Sequence, residues 1–383
     1  MLLDNPFVSD QRVEKEAKCL VDRGVEVTVI CKVGKGLPEN EVRNGITIHR
    51  WMTPLTNKPQ KIGYKAHQNF LSQKILELNP HTLHCHDIFM LLLGSKIKAQ
   101  KPDIHLIYDS HEYLRGWLYY QEIPRVINRL KGRLVWQYLI QRERNICRNQ
   151  VAKIITTSTA IAQKIQSNYT LKYRPLVLRN ISTITSETSI KSNLLRQTLG
   201  IPDDEKIMIQ SGNIYQSKDL LDAMFQAVVD TPALHFVMIN NRPIGKEIQA
   251  WVDSTSHWQE RIHIVDYDQN KLAEMIQSAD FGLLYMNTKN WSSHYLTSPN
   301  RIYEYSTCQL PIISVPQFCS EELAKKFGHV IFFDPGEPKS FRHATRTMLN
   351  ELTDLIEKAK SYDLDWNKEI QSVLAYYDSI NYD

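Results

Sequence analysis

The segment Ser298-Pro299-Asn300-Arg301-Ile302-Tyr303-Glu304-Tyr305 joins a helix start to a carboxylate one turn further in, ahead of the apolar run Leu310-Pro311-Ile312-Ile313-Ser314-Val315. A Ser-Pro pair reads as an N-cap plus first helical position. That leaves the backbone N–H groups of Asn300 and Arg301 at a helix N-terminus, where the dipole favours an anion. Phosphate oxygens at the helix start and ribose hydroxyls on Glu304 would suit a nucleotide diphosphate. The plainer reading of the same residues is a capped helix carrying a solvated Glu.

Other segments offer polar groups of comparable kind. Tyr108-Asp109-Ser110-His111-Glu112-Tyr113 ends an apolar run, and in an open α/β sheet the carboxyl ends of strands are where ligands bind; a capping Asp beside a surface His is the bland alternative. After Gln210-Ser211-Gly212-Asn213, Gly212 permits a close backbone approach, while Ser217 can cap the next helix and aim Lys218 at a phosphate. A solvated Lys in a first helical turn would look the same. Asp266-Tyr267-Asp268 and His84-Cys85-His86-Asp87 resemble metal motifs. The first falls in a strand-to-helix loop, and the second alternates faces of a strand with no distant ligand set evident, so no metal site is expected. His86 and Asp87, at that strand's end, are expected to line a cleft.

The elements that position these groups follow from periodicity. Strands are expected at 26–31, 45–51, 82–86, 105–109, 153–158 and 175–179, with helices at 11–23, 62–78, 88–99, 124–148 and 160–167. The polar stretch 181–192 reads as a linker. A second series follows, with strands at 206–210, 233–240, 263–265, 281–285, 311–315 and 330–333. Its helices are expected at 218–229, 245–254, 269–278, 301–307 and 340–359. Such alternation argues for doubly wound parallel sheets in an α/β protein. The domains expected are 1–180 and 193–362; residues 363–383 either cross back to the first domain or end as a core helix of the second. Only Met1-Leu2-Leu3-Asp4 precedes the first turn, so the first strand is very short or Met1 lies inside a longer reading frame.

At 383 residues, 42% apolar and 23% charged, the chain is long enough for two well-buried domains. The six cysteines are scattered without a CxxC pair and read as reduced thiols. The longest apolar stretch, 88–94, is too short to cross a bilayer, and the start is not a signal peptide; a cytoplasmic protein is expected. The net charge of +4 hides an asymmetry: residues 1–180 carry 28 Lys and Arg against 15 Asp and Glu, and the remainder 18 against 27. Much of the excess lies on the helix 124–149, with Arg125, Arg129, Lys131, Arg133, Arg142, Arg144 and Arg148 against Glu143 alone. A solvated helix face accounts for such a run; it also fits an anionic partner such as a membrane surface, a lipid phosphate, an acidic glycan or a nucleic acid.

Taken together, Asn5-Pro6-Phe7-Val8-Ser9-Asp10-Gln11-Arg12-Val13, Asp109-Ser110-His111-Glu112, Gly212 with Lys218, and the Ser298–Tyr305 segment before its Leu-Pro strand resemble the family 4 (group 1) glycosyltransferases of GT-B fold, in that order and over nearly the whole chain. The resemblance implies two Rossmann-like domains facing a central cleft, and a retaining transfer of sugar from a nucleotide-diphosphate donor without cofactor or obligatory metal. Glu304 would hold the donor ribose, with Ser298, Pro299, Asn300, Arg301, Gly212, Asn213 and Lys218 around the diphosphate. His111 and Glu112 would serve catalysis, and Asp10, His86 and Asp87 the acceptor side. The acceptor expected is a lipid-linked saccharide or polysaccharide precursor held by the first domain, whose basic charge suggests peripheral contact with the inner face of the cell membrane; no nucleic acid is expected.

Three positions depart from the family's pattern. The earlier of two acids eight positions apart is Leu296, the Arg before the phosphate Lys is replaced by Asn213, and the Gly before the Leu-Pro strand is Gln309. A sugar-nucleotide epimerase of the same fold, or a scaffold without activity, are the rival readings.

Overall fold

The computed structural model describes residues 1–8, 10–52, 61–116, 126–182, 191–212, 218–240, 243–286 and 292–380. The chain divides into two compact units, Met1–Arg179 with Asn367–Asp383, and Asn180–Trp366.

In the first unit α1 (Gln11–Val21) precedes β1 (Thr28–Lys32), β2 (Asn40–Arg43), β3 (Ile46–Met52) and α2 (Lys61–Glu77). Then come β4 (Thr82–His86), α3 (Asp87–Lys98), β5 (His105–Ser110), α4 (Val126–Asn149), β6 (Lys153–Thr156), α5 (Thr159–Tyr169) and β7 (Leu176–Val177). Strands run in the order β2-β3-β1 and β4-β5-β6-β7. Leu2 joins the two groups, bridging Ile30 and Cys85 in parallel. The first strand is thus a stub: Leu2 N–H donates to His84 O at 2.8 Å, and His86 N–H to Leu2 O at 3.1 Å.

All neighbours are parallel except β2 and β3, a hairpin whose first strand, β2, is absent from the expected strands while β3 matches the one expected at 45–51. Its turn residues Asn44 and Gly45 both have positive φ, 53° and 78°, the conformation that an Asn-Gly pair favours between twisted strands.

The second unit runs α6 (Leu194–Leu199), β8 (Lys206–Ser211), α7 (Lys218–Val229), β9 (Leu234–Ile239), α8 (Pro243–Asp253), β10 (Ile262–Val265), α9 (Leu272–Gln277) and β11 (Phe281–Leu284). It continues with α10 (Ser292–Leu296), α11 (Asn300–Thr307), β12 (Ile312–Ser314), α12 (Phe318–Phe327), β13 (Val330–Phe332), α13 (Pro338–Asn350) and α14 (Leu352–Ala359). Its all-parallel sheet has the order β10-β9-β8-β11-β12-β13.

Alternation along the strands divides its core. Met208, Phe236, Phe281 and Ile313 face α7, α8 and α13, whereas Ile207, Val237, Leu284 and Ile312 face α9, α11 and α12. Each such side chain contributes about 1.5–3 kcal/mol of burial, and two apolar faces require helices on both sides.

The helix expected over 340–359 is broken at Glu351 into α13 and α14. Beyond it, α15 (Trp366–Glu369) and α16 (Gln371–Asp378) break the last expected helix at Ile370. In the first unit Tyr377 Oη lies 2.8 Å from His84 Nδ1, and Arg179 Nη2 pairs with Glu369 at 2.7 Å.

Candidate active site

In the second unit the strand order reverses between β8 and β11, and the carboxyl ends beside such a reversal are where open α/β sheets bind ligands. Gly212 follows β8 there with φ +80°. A Cβ on it would lie 3.6 Å from Arg301 Nη2, so the Arg301 guanidinium rests against the Gly212 backbone. This brings a cation to the β8 loop, where the family's Arg is replaced by Asn213, a residue outside those described.

Ser211 and Gly212 are held from below: Ser211 N–H donates to Tyr305 Oη at 2.8 Å, and Asn240 Nδ2 to Gly212 O at 2.9 Å. Tyr305 fits because Gly282 lacks a side chain; a Cβ there would come within 2.3 Å of the ring.

The start of α11 differs from the sequence expectation. Pro299, not Ser298, occupies the cap position, and no side chain caps it. Ser298 is buried, its hydroxyl hydrogen-bonded with Tyr303 Oη at 2.7 Å and its carbonyl accepting from Asn180 Nδ2 at 2.7 Å. Tyr303 competes successfully for that hydroxyl because both groups are enclosed together. Asn300 and Arg301 remain the first helical residues, and Glu304 is buried one turn deeper. Glu304 lies close enough to Tyr267 to help raise its phenol pKa, after burial as the main cause. Lys218 opens α7 and is exposed, with Nζ 4.8 Å from the centre of the Trp251 ring. Cation–π contact with that ring, rather than an open reach, sets its position. Leu296 is buried.

The first unit builds a different kind of site, on the Leu2/β4 reversal of its sheet. Asp10 caps α1, accepting from Val13 N–H at 3.2 Å and from Asn5 Nδ2 at 2.8 Å. His86 ends β4, and Asp87 begins α3 with φ +62°, a left-handed conformation costly for a residue with a side chain. The turn aims the Asp87 carboxylate at the next loop: Oδ1 accepts from His111 N–H at 3.2 Å, and Oδ2 lies 3.7 Å from His111 Nδ1. His111 Nε2 is 3.2 Å from both Asp109 Oδ2 and His86 Nδ1.

Burial works against a charged His111, but Asp87 and Asp109 outweigh it and raise its pKa to about 9. Burial lowers His86, leaving it to accept the Nε2 proton of a charged His111. Glu112 follows in the same loop, its carbonyl accepting from Ser110 Oγ at 2.9 Å. Asp10, His86, Asp87, His111, Glu112 and Trp136 line a cleft of about 260 Å³. A second cavity, about 220 Å³, lies beside Met1, His84 and Tyr377 at the amino ends of β1 and β4, the wrong end for an α/β ligand site.

Behind the cleft is a charge cluster that was not expected. Arg12 Nε and Nη2 donate to Asp109 at 3.0 and 2.9 Å, and Arg12 Nη1 to Leu178 O at 2.6 Å. Against the cost of burial, Arg12 and His111 hold Asp109 well below the usual carboxylate range. Glu16 is fully buried 3.5 Å from His84 Nδ1; burial, with Asp109 nearby, raises its pKa to about 8. His84 and His86 stack at 4.5 Å. They face the same way, and with Glu16 and Asp109 they bring four ligand-capable atoms within 4.8 Å of one another. A distant ligand set for this strand therefore exists, contrary to the sequence reading. The Arg12 guanidinium already engages both Asp109 oxygens, which makes the group an ion-paired cluster rather than an open cation cage.

Residues 11–179 match the family model Glycosyltransferase Family 4. No curated protein sequence matches the chain. Among solved structures, it is similar to HepE from Anabaena in complex with UDP-glucose, at 15% identity and a TM-score of 0.72, covering 99% of this chain and 98% of that one. Sucrose-phosphate synthase from Thermosynechococcus elongatus aligns at 15% identity and TM-score 0.70, over 96% and 92% of the two chains. WaaG, a glycosyltransferase involved in lipopolysaccharide biosynthesis, aligns at 13% and 0.68 over 99% of each. The chain has the GT-B fold and resembles the family 4 (group 1) glycosyltransferases, whose signature its first unit carries.

Proposed function

We propose that the protein is a retaining glycosyltransferase that moves a sugar from a nucleotide-diphosphate donor to a lipid-linked or polysaccharide-precursor acceptor. The observation that carries this reading is the Arg301 guanidinium seated against the left-handed Gly212 backbone, with Glu304 buried one turn deeper on the same helix. Arg301 offers a planar cation to phosphate oxygens, and the Gly212 loop lets them approach the chain. Lys218 adds a second positive charge. As the glycosidic bond breaks, the departing diphosphate gains negative charge, and fixed cations lower the barrier by stabilising it. Ser298 and Pro299 shape the helix start, and Glu304 takes the ribose hydroxyls.

The first unit supplies the acceptor groups Asp10, His86 and Asp87, with His111 and Glu112 at the reacting sugar. A charged His111 donates hydrogen bonds and does not accept a proton, so it orients a hydroxyl or neutralises charge. The donor's own phosphate is then the base for the incoming hydroxyl, and no metal or cofactor takes part. The excess of positive charge in the first unit supports peripheral contact with the inner face of the cell membrane. No described helix is long and apolar enough to cross a membrane.

HepE binds UDP and UDP-glucose, which makes uridine diphosphate the first donor nucleotide to try. Thermal melting with uridine, guanosine, adenosine and thymidine diphosphates tests the reading; at least one is expected to raise the melting temperature. If none does, the buried Leu296 where the family has an acid becomes the mark of an inactive scaffold. Turnover of a nucleotide sugar without any acceptor would instead favour the epimerase.

A further inference from the structure

Helix α4 has apolar side chains on two opposite faces. One face is inward: Trp136, Ile140, Ile146 and Cys147 are buried, and Glu143 lies beneath them, accepting from Tyr108 Oη at 2.6 Å and from Tyr169 Oη. At about 100° per residue, Leu130, Leu134 and Tyr138 form an i, i+4, i+8 stripe on the far side. They are 57%, 71% and 61% exposed, and Val135 beside them is 58% exposed. The other large apolar side chains exposed among the described residues are scattered over several elements, so this is a patch and not background.

Around the helix Lys131 and Arg142 fall to one side of the stripe and Arg133 to the other, while Arg148 falls in line with Leu130 further along; all four are exposed. The helix's only acid, Glu143, is buried.

We infer that this outer face of α4 is the surface by which the first unit docks on an anionic lipid bilayer. It is the ridge of a single helix, which fits a flat fluid surface. Leucine and tyrosine would settle at the headgroup boundary, while the long basic side chains reach up to lipid phosphates. The inference deepens the proposed acceptor class and rests on that reading. The inward face of the same helix brings Trp136 to the cleft that holds His86, Asp87 and His111, so one element would link the bilayer to the site where a lipid-linked acceptor is used.

Vesicle co-sedimentation of the full chain tests this, with phosphatidylcholine alone and with phosphatidylcholine containing phosphatidylglycerol. The wild type is expected to bind the anionic vesicles at least about tenfold better, and less so in high salt. Two double variants, Leu134→Glu with Tyr138→Glu and Lys131→Glu with Arg142→Glu, alter exposed residues only, and their circular dichroism melts check the fold. Each should lose about tenfold in anionic-vesicle binding while keeping the wild-type affinity for uridine diphosphate.

Equal binding of the wild type to both vesicles, or no loss in either folded variant, overturns the inference. So does a dimer in sedimentation velocity that the Leu134/Tyr138 variant dissolves, which would assign the face to a second copy of the chain. Vesicle binding without any nucleotide binding would sink the donor reading and leave this surface standing.

Discussion

The two units solve the same problem, charge at the carboxyl end of a parallel sheet, in opposite ways. In the first, Arg12 and Asp109 are enclosed and the charges answer one another: Arg12 holds Asp109, Asp109 holds His111, and half-exposed Asp87 closes on His111 from the other side. In the second, Lys218 reaches the surface, resting on Trp251. A buried, mutually satisfied set fixes geometry before any ligand arrives, because removing one partner leaves another charge stranded. In the second unit Lys218 stays at the surface, within reach of an incoming anion. Under the proposed function, this difference suits a first unit that orients the acceptor and a second that releases the charged product.

The comparison breaks most sharply at Arg12. Arg12→Ala should destabilise the first unit by about 3–5 kcal/mol, since Asp109 would be left buried and unpaired; urea unfolding followed by its tryptophans should show it. A loss under about 1 kcal/mol, the range of an exposed pair, would mean that the cluster is open to water.

His111→Ala comes next, with transfer reduced about a hundredfold, the scale of one lost hydrogen-bond donor at developing charge, and nucleotide affinity unchanged. The wild-type pH profile sharpens this. The folded pKa, about 9, lies above the ordinary histidine value. The stability from the charged ring is therefore complete below the unfolded value near 6.5 and lost as pH rises through about 9. Activity should fall over the same interval, and a profile unchanged in the variant would remove His111 from the mechanism.

The smallest effect is expected in the second unit. Glu304→Ala and Lys218→Ala should each weaken uridine diphosphate binding by about tenfold, one charge-assisted hydrogen bond's worth, with little change in melting temperature. Calorimetry showing both affinities intact would dismiss the donor assignment.

How much of this could be read in the sequence depended on range. Thr82–His86 and Lys218–Val229 have the bounds their local periodicity predicts. The strand Asn40–Arg43 was missed although Asn44-Gly45 announces its turn, because its residues are mostly polar and half-exposed and give no apolar alternation. Ser298 was misread as a cap because nothing local reveals that Tyr303 turns its hydroxyl inward. Arg12 and Asp109 are 97 positions apart, and neither neighbourhood hints at the other. Arg301 was singled out for its amide, yet its guanidinium against Gly212 is what the fold brings into play.

One consequence of the stub strand concerns motion. The strand groups β2-β3-β1 and β4-β5-β6-β7 of the first unit hang together through the backbone of Leu2 and its neighbours, with Ile30 on one flank and Cys85 on the other. A seam that narrow is the natural line along which the sheet breathes, since opening it breaks the few hydrogen bonds through Met1, Leu2 and Leu3. Asn5 and Asp10 follow one side of this seam, and His86 and Asp87 the other. Its loosening would spread the walls of the cleft lined by Asp10, His86 and Asp87 like a spine opening a book, so the amide exchange rates of Leu3 and His86 gauge how often the cleft opens.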